Sequence, residues 1–185
     1  MPSKKIHKIL VANRGEIAVR IISTLKKLSI NSVAVYADND ADSMHCRIAD
    51  EARPLGCGSL KDTYLNIQKI IDLALDAGAD AIHPGYGFLS ENADFAEACK
   101  VNNLIFIGPD AESMRLMGDK IRARQFAIDN NIPVVWGMVG SCEDIMAQAA
   151  ALPYPVLIKA SAGGGGKGMH IVNDASQLLY ALEQA

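Results

Sequence analysis

The stretch PVLIKASAGGGGKGMHIV, residues 155–172, decides how the second half of the chain folds. An apolar run at residues 155–158 leads directly to Lys159, and a second extended run occupies residues 169–172. The pattern predicts a β-hairpin, because two short apolar runs flank a segment that only a loop can accommodate. The loop carries five glycines and one lysine: Gly163, Gly164, Gly165, Gly166, Lys167 and Gly168.

The composition of this loop indicates phosphate binding. Each Gly inside a regular element costs about 0.5–1 kcal/mol relative to Ala, and an ordinary turn needs few of them. Bare backbone N–H groups can surround the oxygens of a polyphosphate, and the ammonium groups of Lys159 and Lys167 would neutralise its charge. The alternative interpretation is a flexible surface turn.

The loop differs from two common nucleotide-binding loops. The pattern G-x-x-x-x-G-K-[ST] fails because Ser161 and Gly168 stand at its first and last positions. A dinucleotide-binding turn runs from a strand into a helix, whereas residues 169–172 are expected to be extended. The sequence therefore favours a flap over the phosphates of ATP, and phosphoryl transfer, over NAD binding.

Composition excludes several other classes of protein. The 185 residues are 50% hydrophobic and 21% charged, with a net charge of −3, so we expect no nucleic-acid partner. No apolar run is long enough to span a membrane. The four cysteines are far apart, which predicts reduced thiols in a cytosolic-type compartment. The length suits one full domain and part of another.

The first hundred residues alternate between strand and helix patterns. We predict strands at residues 6–12, 32–37, 52–55, 81–82 and 104–107, and helices from residue 16, at 43–49, 64–77 and from residue 91 to residue 101. This alternation predicts an α/β fold with a parallel sheet. The Gly108-Pro109 pair follows the last of these strands, and we place a domain boundary there.

The segment HPGYGFLSEN, residues 83–92, follows a predicted strand directly. Open α/β sheets bind ligands beyond the carboxyl ends of their strands, so this loop is a second candidate site. We expect Ser90 to cap a helix that begins at Glu91. We interpret His83 as ordering the loop through a hydrogen bond rather than as a base.

The remainder of the chain predicts further elements. We expect helices at residues 111–117, 119–129, 142–152 and 175–185, a strand at residues 132–135, and a helix cap at Ser141. Arg122 and Arg124 are interpreted as a solvated helix face. The last helical pattern stops without a cap at Ala185, from which we expect a fragment of a longer protein.

Five segments in order resemble the biotin carboxylase family. They are VANRGEIA at residues 11–18, HPGYGFLSEN at 83–92, FIGP at 106–109, RLMGDK at 115–120 and IKASAGGGGKGM at 158–169. The resemblance implies a Rossmann-like N-terminal domain at residues 1–108, the start of an ATP-grasp domain at 109–132, and part of its lid at 133–185. It also implies an ATP-dependent ligase that converts bicarbonate to carboxyphosphate and carboxylates biotin on a carrier protein.

The resemblance assigns roles to individual residues. Lys120, Lys159, the glycines Gly163, Gly164, Gly165, Gly166 and Gly168, and Lys167 would bind ATP. His83, Tyr86 and Glu91 would lie in the loop on the biotin side. The magnesium ligands and catalytic residues of the family come after residue 185, so we expect no catalytic residue and no metal site here, and an inactive fragment.

The resemblance also implies partners. These are a biotinylated carrier, a carboxyltransferase subunit or domain and a second copy of the complete protein, in the cytoplasm or the mitochondrial matrix. Ala162 and Lys167 depart from residues common in the family but keep the character of the loop. Trp136, and a segment at residues 135–152 that is shorter than in many members, put the first hairpin of the lid in doubt but not its ATP loop. Two alternatives stay open: another ATP-grasp ligase, and a non-enzymatic scaffold.

Overall fold

The computed structural model describes residues 5–160 and 168–185. The chain divides into two compact units, Met1–Arg115 and Leu116–Ala185. The predicted loop residues Gly163, Gly164, Gly165, Gly166 and Lys167 lie outside the described residues.

A five-stranded parallel sheet forms the centre of the first unit, with strand order β3-β2-β1-β4-β5. Its strands are β1 Lys8–Val11, β2 Asn31–Ala37, β3 Glu51–Gly56, β4 Ala81–His83 and β5 Ile105–Phe106. The chain runs from β1 outward to β3, and then returns to place β4 on the other side of β1. The predicted α/β fold with a parallel sheet is confirmed.

Helices cover both faces of this sheet. They are α1 Gly15–Lys27, α2 Met44–Ile48, α3 Ile67–Asp76 and α4 Ala93–Val101. A fifth helix, α5 Ala111–Gly118, crosses the division between the units. Successive residues of β1 alternate between faces: Leu10 packs with α3 and α4, and Ile9 and Val11 pack with α1. Because both faces of the inner strands are buried, β1 and β2 carry continuous buried runs, at residues 9–11 and 32–35.

Two helix starts differ from prediction. Helix α4 begins at Ala93, and its cap is Asn92, whose side chain accepts a hydrogen bond from the Phe95 N–H at 2.9 Å. The expected Ser90 cap is wrong because residues 87–92 form turns first, with Phe88 at φ +43°. Helix α3 begins at Ile67, after the cap Asn66, instead of at residue 64.

The second unit contains a β-hairpin and three further helices. Strands β6 Val156–Lys159 and β7 Met169–Val172 pair antiparallel, as predicted, and α6 Lys120–Asp129, α7 Cys142–Ala147 and α8 Leu178–Gln184 complete the unit. Single 3₁₀ turns lie at Ala149–Ala151 and Ala175–Gln177 in this unit, and at Asp38–Asp40 in the first unit. Val172, Leu178, Ala181 and Leu182 form its core.

In the second unit, the helix cap predicted at Ser141 is present, whereas the strand predicted at residues 132–135 is not. Ser141 caps α7 in a reciprocal capping box with Asp144, as expected. The strand predicted at residues 132–135 is wrong: residues 132–141 form no regular element, and Val135 is 86% exposed. Among the residues that the structure describes, every helix is too short or too polar to span a lipid bilayer.

The packing of α4 generates a stability prediction. Phe95 is fully buried and meets the Phe106 ring edge-on at 5.7 Å between centroids. Phe95→Ala should lower the free energy of unfolding of the first unit by about 3–5 kcal/mol through lost burial and a residual cavity. Calorimetry should show this as a lower Tm. Val101→Ala, on the same helix and 72% exposed, should change stability by less than about 0.5 kcal/mol; equal losses would contradict the packing described.

Candidate functional site

A cleft of about 370 Å³ opens at the carboxyl edge of the parallel sheet. It lies where the loops after β1 and β4 meet, which is the point at which strand order reverses and where open α/β sheets bind ligands. Its lining residues are Asn13, Arg14, Gly15, Glu16, Ile17, Tyr86, Gly87 and Phe88. Of the predicted loop residues, Tyr86 lines the cleft, whereas His83 and Glu91 do not.

Asn13 joins the two loops. Its side chain is 1% exposed, and its Nδ2 donates to the carbonyl of Pro84 at 2.7 Å and to that of Tyr86 at 2.9 Å. Its Oδ1 accepts from the Arg14 N–H at 2.9 Å. A buried amide that uses both its donors and its acceptor fixes the groups it contacts, because leaving any of them unpaired is costly. Asn13 therefore sets the path of the backbone around Tyr86.

Gly85 allows this close approach. Its φ of +68° is a conformation that side chains rarely adopt, and an added Cβ would lie 2.7 Å from Asn13 Nδ2 and 2.7 Å from Ile17 Cγ2. Only glycine fits this position without moving a neighbour. The geometry explains why the loop between β4 and Phe88 contains glycine immediately before Tyr86.

Tyr86 extends across the cleft to the first turn of α1. Tyr86 is 65% exposed, and its hydroxyl donates to Glu16 Oε1 at 2.6 Å. The hydrogen bond to this carboxylate raises the pKa of Tyr86, since it stabilises the protonated phenol. Glu16 lies in the first turn of α1, where the helix dipole favours a negative charge.

His83 orders the same loop. Its Nδ1 accepts a hydrogen bond from the Gly85 N–H at 3.0 Å, so the expected hydrogen-bonding contact is present. Burial lowers the pKa of His83 because the charged form loses hydration. A neutral imidazole with Nδ1 as acceptor is consistent with this contact, and the ring acts on the loop backbone.

Arg14, which lines the cleft, also belongs to a network of charged and aromatic side chains. Its guanidinium donates to Asp40 Oδ2 at 3.0 Å and lies 5.3 Å from the centroid of the Tyr64 ring and 5.7 Å from that of Phe88. The Tyr64 hydroxyl also donates to Asp40 Oδ2, at 2.7 Å. Partial burial opposes ionisation of Asp40, but the hydrogen bonds from Tyr64 and Arg14 prevail and lower its pKa.

The second candidate site is the hairpin of the second unit. Val156 and Ile158 of β6 face the core, so Leu157 and Lys159 project from the opposite, exposed face. Lys159 makes no ion pair with any residue in the described part of the chain, and it is paired across the hairpin with Met169. Its ammonium is thus available to an anionic ligand at the end of the strand.

Lys120 reaches the same end of β6 from the start of α6. Its Nζ donates to the carbonyl of Ala160, the residue after Lys159, at 3.2 Å. Gly168, the turn residue directly before β7, has φ +70°. Of the predicted ATP-binding residues, the structure therefore places Lys120, Lys159 and Gly168 around the base of the loop.

The exposed hairpin face is apolar beside Lys159. Leu157 is 47% exposed, Met169 47% and Ile171 72%, and Leu157 lies directly opposite Ile171 in the pairing. Sequence reasoning identified the lysines but missed this face. The period-two alternation of β6 and β7 could have revealed it, since alternate residues of a strand share a face.

Family models match both units. The model "Biotin carboxylase, N-terminal domain" matches residues 5–114, and "Carbamoyl-phosphate synthase L chain, ATP binding domain" matches residues 119–185. The chain is 46% identical over 181 residues to Biotin carboxylase 1 of Bacillus subtilis, with 96% of this chain and 40% of that protein covered. It is 47% identical over 187 residues to the mitochondrial methylcrotonoyl-CoA carboxylase subunit alpha of Mus musculus, covering 100% of this chain and 26% of that protein.

A solved structure shows the same fold. It is the biotin carboxylase domain dimer of Hydrogenobacter thermophilus 2-oxoglutarate carboxylase, in complex with magnesium ADP, ADP and bicarbonate. The TM-score is 0.89 at 45% identity, over 97% of this chain and 40% of that one. The chain thus spans 40% or less of the length of these relatives.

The contact between Gly85 and Asn13 generates a second prediction. Gly85→Ala should destabilise the first unit by more than the roughly 1–2 kcal/mol that a left-handed backbone costs, because its Cβ also collides with Asn13 and Ile17. Gly87→Ala is the matched control, since Gly87 has φ +70° and no atom within 4 Å of an added Cβ. Thermal unfolding should show the larger loss for Gly85→Ala; equal losses would contradict the collision.

The Asp40 network generates a pH prediction. Because the pKa of Asp40 is lowered in the folded state, its contribution is fully present above the unfolded value of about 3.9 and is lost as pH falls through the lower folded value. Asp40→Asn should therefore cost about 1–2 kcal/mol at pH 7 and progressively less below pH of about 4. Urea unfolding at pH 7 and below pH of about 4 measures the loss of stability in the Asp40→Asn variant. Asp38→Asn, at an exposed position, is the control. A loss for Asp40→Asn that does not change with pH would contradict the prediction.

Proposed function

The chain belongs to the biotin carboxylase family, and we propose that it supplies the nucleotide-binding hairpin and the biotin-side loop of such an enzyme. The reaction proposed is the ATP-dependent conversion of bicarbonate to carboxyphosphate, followed by transfer of the carboxyl group to N1′ of biotin on a carrier protein. The observation that carries the proposal is the Lys159 ammonium, without an ion-pair partner in the described residues, at the base of a glycine-rich loop.

Charge supports the assignment of the hairpin to ATP. Phosphoryl transfer depends mainly on positioning and on neutralising the phosphate oxygens. Lys159 offers an exposed cation at the end of β6, and Lys120 is directed to the same strand end by its bond to Ala160. In this proposal the two lysines neutralise the triphosphate, together with the loop residues Gly163, Gly164, Gly165, Gly166, Lys167 and Gly168.

Apolar surface supports the same assignment. Leu157, Met169 and Ile171 form an exposed patch on the face that carries Lys159. Ligand sites commonly combine an apolar wall with a few polar groups that fix orientation. We assign this wall to the adenine base, because it shares a face with Lys159, to which the proposal assigns the phosphate tail of the same nucleotide.

Tyr86 supports the assignment of the first unit to biotin. The cleft places an exposed phenol beside the loop backbone, at the edge of the sheet where ligands bind. In the proposal this loop, with His83 and Glu91, approaches the biotin side of the enzyme. The first unit matches a family model of biotin carboxylases, whereas the second matches a model of an ATP-binding domain. We therefore assign the biotin side of the enzyme to the first unit and ATP to the second.

The proposal gives these residues no part in holding magnesium. Within residues 5–160 and 168–185, no three His, Cys, Asp or Glu side chains gather where they could hold a metal ion. Magnesium would accompany ATP as its phosphate-bound counter-ion. For the enzyme as a whole, we propose a biotinylated carrier protein and a carboxyltransferase as partners, and assembly as a homodimer. We also propose a cytoplasmic or mitochondrial location, since relatives include bacterial and mitochondrial carboxylases.

Binding of Mg-ATP tests the proposal. A ligand that binds only the native state raises stability, by about 1.4 kcal/mol for each tenfold of concentration above Kd. Mg-ATP should therefore raise the Tm of the 185-residue chain in a concentration-dependent manner. Lys159→Ala should reduce the apparent affinity at least about tenfold, because the ammonium is lost from the phosphate site.

Arg122→Ala is the matched control, because it also removes an exposed cation from the second unit. It should leave the response to Mg-ATP unchanged. An equal rise in Tm for the Lys159 and Arg122 variants, or no rise for the unaltered chain, would overturn the proposed nucleotide site.

A further inference from the structure

The segment after β1 contacts the Tyr86 loop at two levels. Asn13 Nδ2 donates to the carbonyls of Pro84 and Tyr86, which fixes the backbone. Glu16, three residues further along, accepts from the Tyr86 hydroxyl at 2.6 Å, which fixes the tip of the side chain. Both contacts cross about seventy residues of sequence, and both converge on one tyrosine.

Packing alone does not hold the Tyr86 ring. The side chain is 65% exposed, and its two neighbours along the chain are glycines with φ of +68° and +70°. An exposed aromatic ring between two glycines would ordinarily exchange rotamers. A short hydrogen bond to a carboxylate is among the stronger hydrogen bonds in proteins, so Glu16 selects the orientation that spans the cleft.

Arg14 leaves this contact undisturbed. It is the other charged residue that lines the cleft, and its guanidinium is engaged by Asp40 and the Tyr64 and Phe88 rings. The Glu16 carboxylate therefore stays available to Tyr86. Arg14 and Glu16, two positions apart in the sequence, therefore serve two different contacts.

We infer that Asn13 and Glu16 are positioning residues for Tyr86, with Asn13 holding the loop backbone and Glu16 holding the phenol across the cleft. The inference rests on the proposed function for its consequence, the presentation of Tyr86 to the biotin side of the enzyme. Neither residue is assigned contact with a substrate. The alternative is that Glu16 acts only as an acid at a helix start and Asn13 only as a satisfied buried amide.

The phenol of Tyr86 reports on Glu16 directly. In the 185-residue chain labelled with ¹³C at tyrosine Cζ, Tyr86→Phe assigns the signal, and a pH titration follows its ionisation. In the unaltered chain the pKa of Tyr86 should lie above the ordinary tyrosine value of about 10. Glu16→Gln should bring it down toward that value, because the negative partner is gone.

Glu112→Gln is the matched control. Glu112 is an exposed acid in the first turn of α5, as Glu16 is in α1, so both variants lose the same helix-dipole interaction. The two should show similar small changes in Tm, but only Glu16→Gln should move the Tyr86 titration. If the pKa of Tyr86 is the same in both variants, the inference for Glu16 is overturned.

Amide hydrogen exchange reports on Asn13. Asn13→Asp removes both side-chain donors, so the amides of Gly85 and Gly87 should exchange faster and the Tyr86 titration should also move. Glu16→Gln should leave those amides unchanged. Should Asn13→Asp fail to fold, Asn13→Ser provides the same comparison. Unchanged exchange in a folded Asn13 variant overturns the inference. These measurements contain no ATP or biotin, so their failure is distinct from failure of the proposed function.

Discussion

Direct pairing of β1 with β4 is the constraint on which the first unit depends. Val11 lies opposite His83 in register, and the Ala12 N–H donates to the His83 carbonyl at 2.9 Å. In a parallel sheet every strand ends at the same edge, so the loops after these two strands must meet. The cleft follows from this pairing, since its walls are residues 13–17 and 86–88.

The two units use charged groups in opposite ways. In the first, Arg14 and Asp40 neutralise each other beside the Tyr64 and Phe88 rings, and Lys8 pairs with Glu51 at 2.6 Å. The first contact holds the loop after β1, and the second joins the starts of β1 and β3. In the second, Lys159 has no ion-pair partner in the described residues. A solvated ammonium without an ion-pair partner does not destabilise the fold, and it forms strong charge-assisted hydrogen bonds when a polyanion binds. The hairpin is therefore suited to binding an anionic ligand, whereas the ion pair beside the cleft fixes the position of its side chains.

The sequence predicted features set by neighbouring residues and missed those set by distant ones. The hairpin and the Ser141 cap were found because their signals lie within a few residues of each other. No local pattern indicated the role of Asn13, since its partners at Pro84 and Tyr86 are about seventy positions away. Residues 132–135 have a strand-like pattern, yet a strand forms only where another is available to pair with it. Ser90 and Asn92 are equally good caps, and the positive φ of Phe88 decided between them.

The hairpin has a further consequence for handling the chain. In the described residues its sheet contains only β6 and β7, so the outer backbone edge of each strand presents unpaired N–H and C=O groups. Leu157 and Ile171 are exposed on the face between those edges. Open edges beside apolar side chains are templates for strand addition by another molecule. Concentrated samples should therefore tend toward aggregation that begins at this hairpin, and additives that cover its apolar face should delay it.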